Sequence, residues 1–71
     1  MEVFVFRTGV TNTEIIDELA PQLNSARGIH RWSFDLEDHE NILRVESTGI
    51  SPRSVEEMLS NANYFCEELP D

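Results

Sequence analysis

Two strand–helix–strand patterns follow each other without a linker, and this order constrains the fold more than any other feature. Residues 2–8 are rich in β-branched and aromatic types and predict a strand. Apolar residues at helical spacing then predict a helix over residues 11–24, with Thr11 and Glu14 as a capping box. The apolar–polar alternation of residues 29–37 predicts the strand that completes the first pattern.

The second half of the chain repeats this order. Polar residues 38–41 predict a turn into a strand over residues 42–47, so these two strands form a hairpin. Ser51 before Pro52 predicts a helix start, and Asn63 is placed to end that helix in the left-handed conformation. Residues 64–69 predict an edge strand. The βαββαβ order predicts an α+β, ferredoxin-like sandwich, in which a four-stranded antiparallel sheet carries both helices on one face.

Composition limits the function classes. The 71 residues predict a single domain, residues 1–71, with a core too small for a large enzyme pocket. No apolar run reaches the length of a membrane span or a signal peptide, so we expect a cytoplasmic protein without membrane contacts. Five arginines, no lysine and fourteen acidic residues give a net charge of -9, which disfavours nucleic acid as a partner.

A set of apolar and turn residues, spread over nearly the whole chain, matches a known pattern. In order, these residues are Phe6, Thr8, Val10, Leu19, Pro21, Leu23, Gly28, Ile29, Trp32, Phe34, Asp35, Leu36, Ile42, Leu43, Val45, Asn63 and Tyr64. In this pattern the chain resembles the heavy-metal-associated (HMA) domains of copper chaperones and metal ATPases. The resemblance implies a ferredoxin-like fold and a metal-binding loop, close to GMxCxxC, between the first strand and the first helix.

The two cysteine positions of that loop fall on Asn12 and Ile15, so the CxxC motif is missing. In a metal carrier, two thiolates at this spacing converge on one soft ion such as copper(I). Asn12 offers a neutral oxygen, and Ile15 cannot coordinate a metal. The sequence therefore predicts no metal site and no cofactor here, with Asn12 joining the helix cap and Ile15 contributing to the core.

Two other side chains could bind a metal. Cys66, the single cysteine, is predicted to act as a small buried apolar group, with a reactive thiol as the alternative. His39 lies between Asp38 and Glu40 in the predicted hairpin turn. We expect solvated turn charge there, with weak binding of added zinc or nickel as the alternative.

The sheet face without helices is the candidate interaction surface. Its predicted members are Val3, Val5, Arg7, Arg31, Ile42, Arg44 and Phe65, with Phe65 expected near Val3 and Val5. An apolar strip rimmed by arginines is typical of a protein interface. Scattered apolar residues and arginine–carboxylate pairs within the chain are the alternative, and the sequence does not decide between them.

These observations predict an HMA-like domain without metal transfer that acts as a stand-alone protein-interaction or regulatory module. A homodimer through the open face or through an edge strand is one form of this prediction. The chain is not expected to be an enzyme, because no paired acid and base and no activated nucleophile is visible. The alternative is a divergent copper- or zinc-binding or transport-related protein whose ligands are not a CxxC pair.

Overall fold

The computed structural model describes residues 1–70 and contains the predicted βαββαβ order. Its elements are β1 (Glu2–Thr8), α1 (Thr13–Ser25), β2 (Ile29–Asp35), β3 (Ile42–Ser47), α2 (Pro52–Asn61) and β4 (Cys66–Glu68). The strands form one antiparallel sheet in the order β2-β3-β1-β4. The predicted four-stranded α+β fold is therefore confirmed, and β4 lies at an edge as expected.

One face of the sheet packs against the helices. Alternate residues of β1 and β3 are buried on this face and meet the apolar stripes of α1 and α2. The buried apolar core consists of Phe4, Phe6, Val10, Leu19, Leu23, Leu43, Val45, Val55 and Leu59. On β1, Val3 points the other way and is 44% exposed. The opposite face of the sheet is thus free of helices.

The start of α1 differs from the prediction by two residues. Asn12 caps the helix, because its side-chain Oδ1 accepts a hydrogen bond from the Ile15 backbone N–H at 3.0 Å. Asn12 has the extended backbone conformation that a cap residue requires. The expected capping box of Thr11 and Glu14 is therefore wrong, since the cap lies one residue further along the chain.

The ends of α2 agree with the sequence. Ser51 caps the helix through its hydroxyl, which accepts a hydrogen bond from the Ser54 backbone N–H at 3.3 Å, and Pro52 is the first helical residue. Asn63 has φ 70, the left-handed conformation predicted for it. Both signals depend only on local chemistry, which explains why a single sequence shows them.

Two strands are shorter than predicted because local hydrogen bonds end them. After β2, the Asp35 side chain accepts a hydrogen bond from the Glu37 backbone N–H at 3.1 Å, which turns the chain before Glu37 can extend the strand. Before β4, the Tyr64 backbone N–H donates to the Leu59 carbonyl at 2.9 Å, so Tyr64 still belongs to the end of α2. Within residues 1–70, neither helix is long and apolar enough to cross a bilayer.

Candidate functional site

Three connections meet at the end of the sheet where β1 enters α1. The Thr8 backbone N–H donates to the Glu40 carbonyl at 3.2 Å, and the Thr8 hydroxyl donates to the Asn41 carbonyl at 2.7 Å. The Gly9 backbone N–H donates to the Phe65 carbonyl at 2.9 Å. The β1–α1 loop is therefore held between the β2–β3 turn and the connection from α2 to β4.

Both positions that correspond to the missing thiols have structural roles. The Asn12 amide oxygen is the helix cap described above, and its partner is the backbone N–H of Ile15. The Ile15 side chain is partly buried and packs against the core. Val10, in the same loop, is completely buried. The two ligand positions thus present one amide and one hydrocarbon side chain, with no sulfur donor.

Tyr64 connects this end of the molecule to α1, a contact that the sequence analysis did not anticipate. Its hydroxyl donates a hydrogen bond to the Glu18 carboxylate at 2.8 Å. That hydrogen bond, together with desolvation and the negative charge of Glu18, raises the pKa of Tyr64. The two residues are 46 positions apart. No local pattern could have joined them, although a tyrosine at the end of a buried stripe signals a polar partner.

The thiol of Cys66 is shielded. Cys66 is partly buried, packs against the core and, with Glu56, lines a shallow pocket beside α2. Burial, and secondarily the negative charge of Glu56, raises the pKa of Cys66 to about 12. A protonated thiol is a poor nucleophile and a poor metal ligand.

His39 is exposed at the β2–β3 turn. Its side chain is 92% exposed, and its Nδ1 lies 3.8 Å from a carboxylate oxygen of Asp38. The Asp38 side chain also accepts a hydrogen bond from the Glu40 backbone N–H at 2.8 Å, which organises the turn. Within residues 1–70, no three His, Cys, Asp or Glu side chains are grouped so that they could hold a metal ion.

The open face of the sheet contains three cross-strand rows. Val3, Glu46 and Arg31 form one row, Val5, Arg44 and Ser33 the next, and Arg7, Ile42 and Asp35 the third. The face thus combines aliphatic side chains with three of the five arginines of the chain. Six of the seven residues predicted for this face lie in these rows: Val3, Val5, Arg7, Arg31, Ile42 and Arg44.

Phe65 lies elsewhere than predicted. The register pairs Thr8 with Cys66, so Phe65 is next to Gly9, at the loop end of the sheet. The Arg7 guanidinium carbon lies 5.5 Å from the centre of the Phe65 ring. The expectation that Phe65 stands near Val3 and Val5 is therefore wrong, because β4 pairs only with the second half of β1.

The arginines fall into two groups. Arg7 forms an ion pair with Glu67 at 2.6 Å, and Arg53 forms one with Glu57 at 3.7 Å. Among the residues that the structure describes, the other three arginines form no ion pair: Arg27, Arg31 and Arg44. Two of these, Arg31 and Arg44, are on the open face and are exposed. The alternative of internal pairing therefore holds for Arg7 alone on this face.

Solved structures with the same fold are HMA domains of copper-handling proteins. The chain superposes on the yeast copper transporter domain Ccc2a with a TM-score of 0.84 and 19% identity, covering 100% of this chain and 99% of that domain. The HMA domain of the copper chaperone for superoxide dismutase gives a TM-score of 0.78 and 18% identity, covering 96% of this chain and 66% of that one. No family model and no curated protein sequence matches the chain. The fold is therefore that of HMA domains, and the CxxC motif of the resemblance is missing.

Proposed function

We propose that this chain is an HMA-like domain that carries no metal and that binds another protein through the open face of its sheet. The observation that carries the first half is the hydrogen bond between the Asn12 side chain and the Ile15 backbone N–H. The Asn12 oxygen is the one side-chain atom at the two ligand positions that could coordinate a metal, and this hydrogen bond uses it to cap α1. We propose no enzymatic activity for this chain, and we predict that it is located in the cytoplasm.

The residues at the loop do not fit a soft metal ion. Copper(I) prefers thiolate and thioether ligands, and a neutral amide oxygen is a hard, weak donor for it. The one thiol of the chain, Cys66, faces α2 and is held in the protonated form by burial. The acidic side chains of α1 leave charge near the loop but supply no sulfur. We therefore assign no step of copper transfer to this chain.

A competition titration with copper(I) tests this half of the proposal. The protein is titrated under reducing conditions against a chromophoric copper(I) chelator. The double variant Asn12→Cys/Ile15→Cys, which restores the CxxC spacing, serves as the positive control. We expect the double variant to remove one equivalent of copper from the chelator and the natural chain to remove none.

One outcome contradicts the proposal and identifies the alternative. If the natural chain binds one equivalent of copper(I) or zinc at micromolar affinity or tighter, the chain is a metal-binding protein with other ligands. Loss of that binding in Cys66→Ala or in His39→Ala would then locate the ligand. If both variants keep the binding, the Asn12 amide oxygen becomes the candidate ligand.

The second half of the proposal depends on the composition of the open face. Val5 and Arg44 are direct cross-strand neighbours at its centre, and the Arg44 charge has no carboxylate partner among residues 1–70. Arginine is enriched among the residues that contribute most to protein interfaces, and apolar neighbours such as Val5 exclude water from the contact. The rest of the chain is strongly acidic, so this face is the region best suited to a partner whose surface is apolar and acidic.

Capture from a cell extract with matched variants tests the surface. The probes are the natural chain, Val5→Glu/Arg44→Glu on the open face, and Arg53→Glu on the exposed side of α2 as a control for added negative charge. We expect a partner that is retained by the control and lost with the open-face variant. If no captured protein depends on the open face, the proposal that this face binds another protein is refuted, whether or not the chain forms a dimer through another surface.

A further inference from the structure

The two edges of the sheet differ in how far they are protected. The edge strand β4 has three residues, and the Glu68 backbone N–H donates to the Glu56 carboxylate at 2.8 Å. The other edge strand, β2, has seven residues and pairs only with β3 among the residues that the structure describes. Its register shifts between Ile29 and Arg31, so the regular part of this edge is residues 31–35. An edge strand of this length presents a row of unpaired backbone donors and acceptors, which is a template for pairing with another chain.

The sequence of β2 is complementary to itself about its centre. In the segment of residues 31–35, the cation Arg31 and the anion Asp35 lie at equal distances on either side of Ser33. Two aromatic residues flank Ser33 in the same symmetric way. Two copies of such a strand, paired antiparallel with Ser33 opposite Ser33, would match unlike charges and aromatic rings at once.

We propose that a second copy of this chain adds to the β2 edge in this antiparallel register, forming a continuous eight-stranded sheet with a two-fold axis at Ser33. In this register Arg31 of each copy lies directly opposite Asp35 of the other, on the open face. The arrangement is isologous, so it closes as a dimer and leaves no further copy of the edge free. The proposal goes beyond the proposed function and does not depend on it.

Charge is the observation that selects a second copy as the occupant. Arg31 and Asp35 are both exposed and form no ion pair with each other or with another residue in the described part of the chain. One Asp35 oxygen already accepts the Glu37 backbone N–H, which leaves the other oxygen free for a guanidinium. Opposite charges directly across two strands attract, whereas like charges repel. The two-fold register produces this attraction twice.

The helix side of the edge provides space for the aromatic residues. Trp32 and Phe34 are partly buried and pack edge to face, with ring centres 6.0 Å apart. The Trp32 Nε1–H donates to the Asn24 side-chain oxygen at 2.8 Å, which fixes the ring beside α1. An open cavity of about 380 Å³, lined by Leu23, Asn24, Ile29, His30, Arg31 and Trp32, lies at this edge. In the proposed register Phe34 of the second copy is opposite Trp32, beside this cavity.

Charge reversal tests the register. The variants are Arg31→Asp, Asp35→Arg and the double exchange Arg31→Asp/Asp35→Arg. Arg53→Asp is a control that changes the net charge as Arg31→Asp does, and the double exchange leaves the net charge unchanged. Sedimentation velocity follows each protein from micromolar to millimolar concentration, and circular dichroism verifies the fold. Because of the two-fold axis, each single reversal turns two attractive pairs into two repulsive ones, so we expect the dimer dissociation constant to rise by about tenfold or more.

The decisive measurement is a mixture of the two single variants. A chain with Arg31→Asp and a chain with Asp35→Arg are complementary at both pairs, so we expect them to form a heterodimer although each alone is a monomer. The double exchange should dimerise like the natural chain, and Arg53→Asp should not weaken the dimer. A natural chain that stays monomeric at millimolar concentration overturns the proposal. A dimer that tolerates both reversals overturns it as well, since the copies then meet elsewhere.

These results are separable from the proposed function. The copper titration and the Val5 and Arg44 variants involve neither the β2 backbone edge nor Asp35. Failure of the dimer therefore leaves the metal-free loop and the open face to be judged by their own experiments.

Discussion

Cysteines at positions 12 and 15 should make the metal-free domain less stable, although they supply the two ligands of a metal carrier. In Asn12→Cys/Ile15→Cys, the cap that accepts the Ile15 backbone N–H is lost, which costs about 1 kcal/mol of unfolding free energy. Replacing the partly buried Ile15 by a smaller side chain removes apolar contacts with the core and costs about 1 kcal/mol more. The metal-free double variant is thus expected to be less stable than the natural chain by about 2 kcal/mol.

Thermal and urea unfolding, followed by circular dichroism under reducing conditions, measure this loss. For a domain of this size, about 2 kcal/mol corresponds to a fall in Tm of roughly 10 °C. Copper(I) should reverse the loss, because a ligand present at about 100 times its Kd adds about 2.7 kcal/mol to the stability of the state that binds it. The natural chain should show no copper-dependent change in Tm.

Single substitutions divide the cost between the two positions. Asn12→Asp keeps an oxygen acceptor at the cap and should leave the stability within about 0.5 kcal/mol of the natural chain, whereas Asn12→Ala should lose about 1 kcal/mol. If the metal-free double variant is as stable as the natural chain, then Asn12 and Ile15 have no structural role. The assignment of Asn12 to the helix cap and of Ile15 to the core packing would then be refuted.

The remaining predictions concern single residues. Gly28→Ala should cost roughly 3 kcal/mol in urea unfolding, because φ is +92 and a Cβ would lie 2.6 Å from the Thr48 carbonyl oxygen, whereas Gly49→Ala, with φ +77 and nothing within 4 Å, should cost about 1 kcal/mol; equal costs would contradict this. The Cys66 thiol, with its pKa raised from 9.0 to about 12, should react at pH 8 roughly 1000-fold more slowly with a disulfide reagent in the folded than in the unfolded chain. Its contribution to stability should be complete below pH 9.0 and be lost as the pH rises towards about 12, since the unfolded thiol ionises first; a flat profile of stability against pH would refute this. Ser47→Ala should stabilise the fold by about 1 kcal/mol, because the buried Ser47 hydroxyl has no hydrogen-bond partner among residues 1–70, and a loss of stability would show that it has one.

The elements of the fold could be predicted from the sequence because residue type or periodicity marks each of them. β1 is rich in β-branched and aromatic residues, β2 alternates, and the two helices have apolar stripes at helical spacing, so their type and order followed directly. The ends of the elements were harder to predict, because a single side chain determines each of them. Asn12, which was expected to join a cap formed by Thr11, is itself the cap of α1, and Asp35 ends β2 by accepting the Glu37 N–H. Several nearby residues could have made either bond, and only the backbone path selects one.

The candidate site was also only partly predictable from the sequence. The absence of sulfur at Asn12 and Ile15 follows from the sequence alone. The placement of Phe65 depends on register, and β4 has only three paired residues, two of them glutamates, so no apolar alternation specifies that register. The pairing of Arg7 with Glu67, 60 positions away, became visible only in the structure.

The absence of thiols from the β1–α1 loop and the proposed use of the open face for recognition are physically connected. An ion carrier needs a loop whose donor atoms can exchange one partner for another, and such a loop cannot be fully committed to internal bonds. In this chain the loop is held by contacts within the molecule. Thr8 and Gly9 bond to the neighbouring connections, Val10 is completely buried, and Asn12 caps α1. A partner of the proposed kind would meet a fixed end of the molecule, so its specificity would come from groups that have no partner within residues 1–70. Arg31 and Arg44 on the open face are such groups, and the backbone edge of β2 is another.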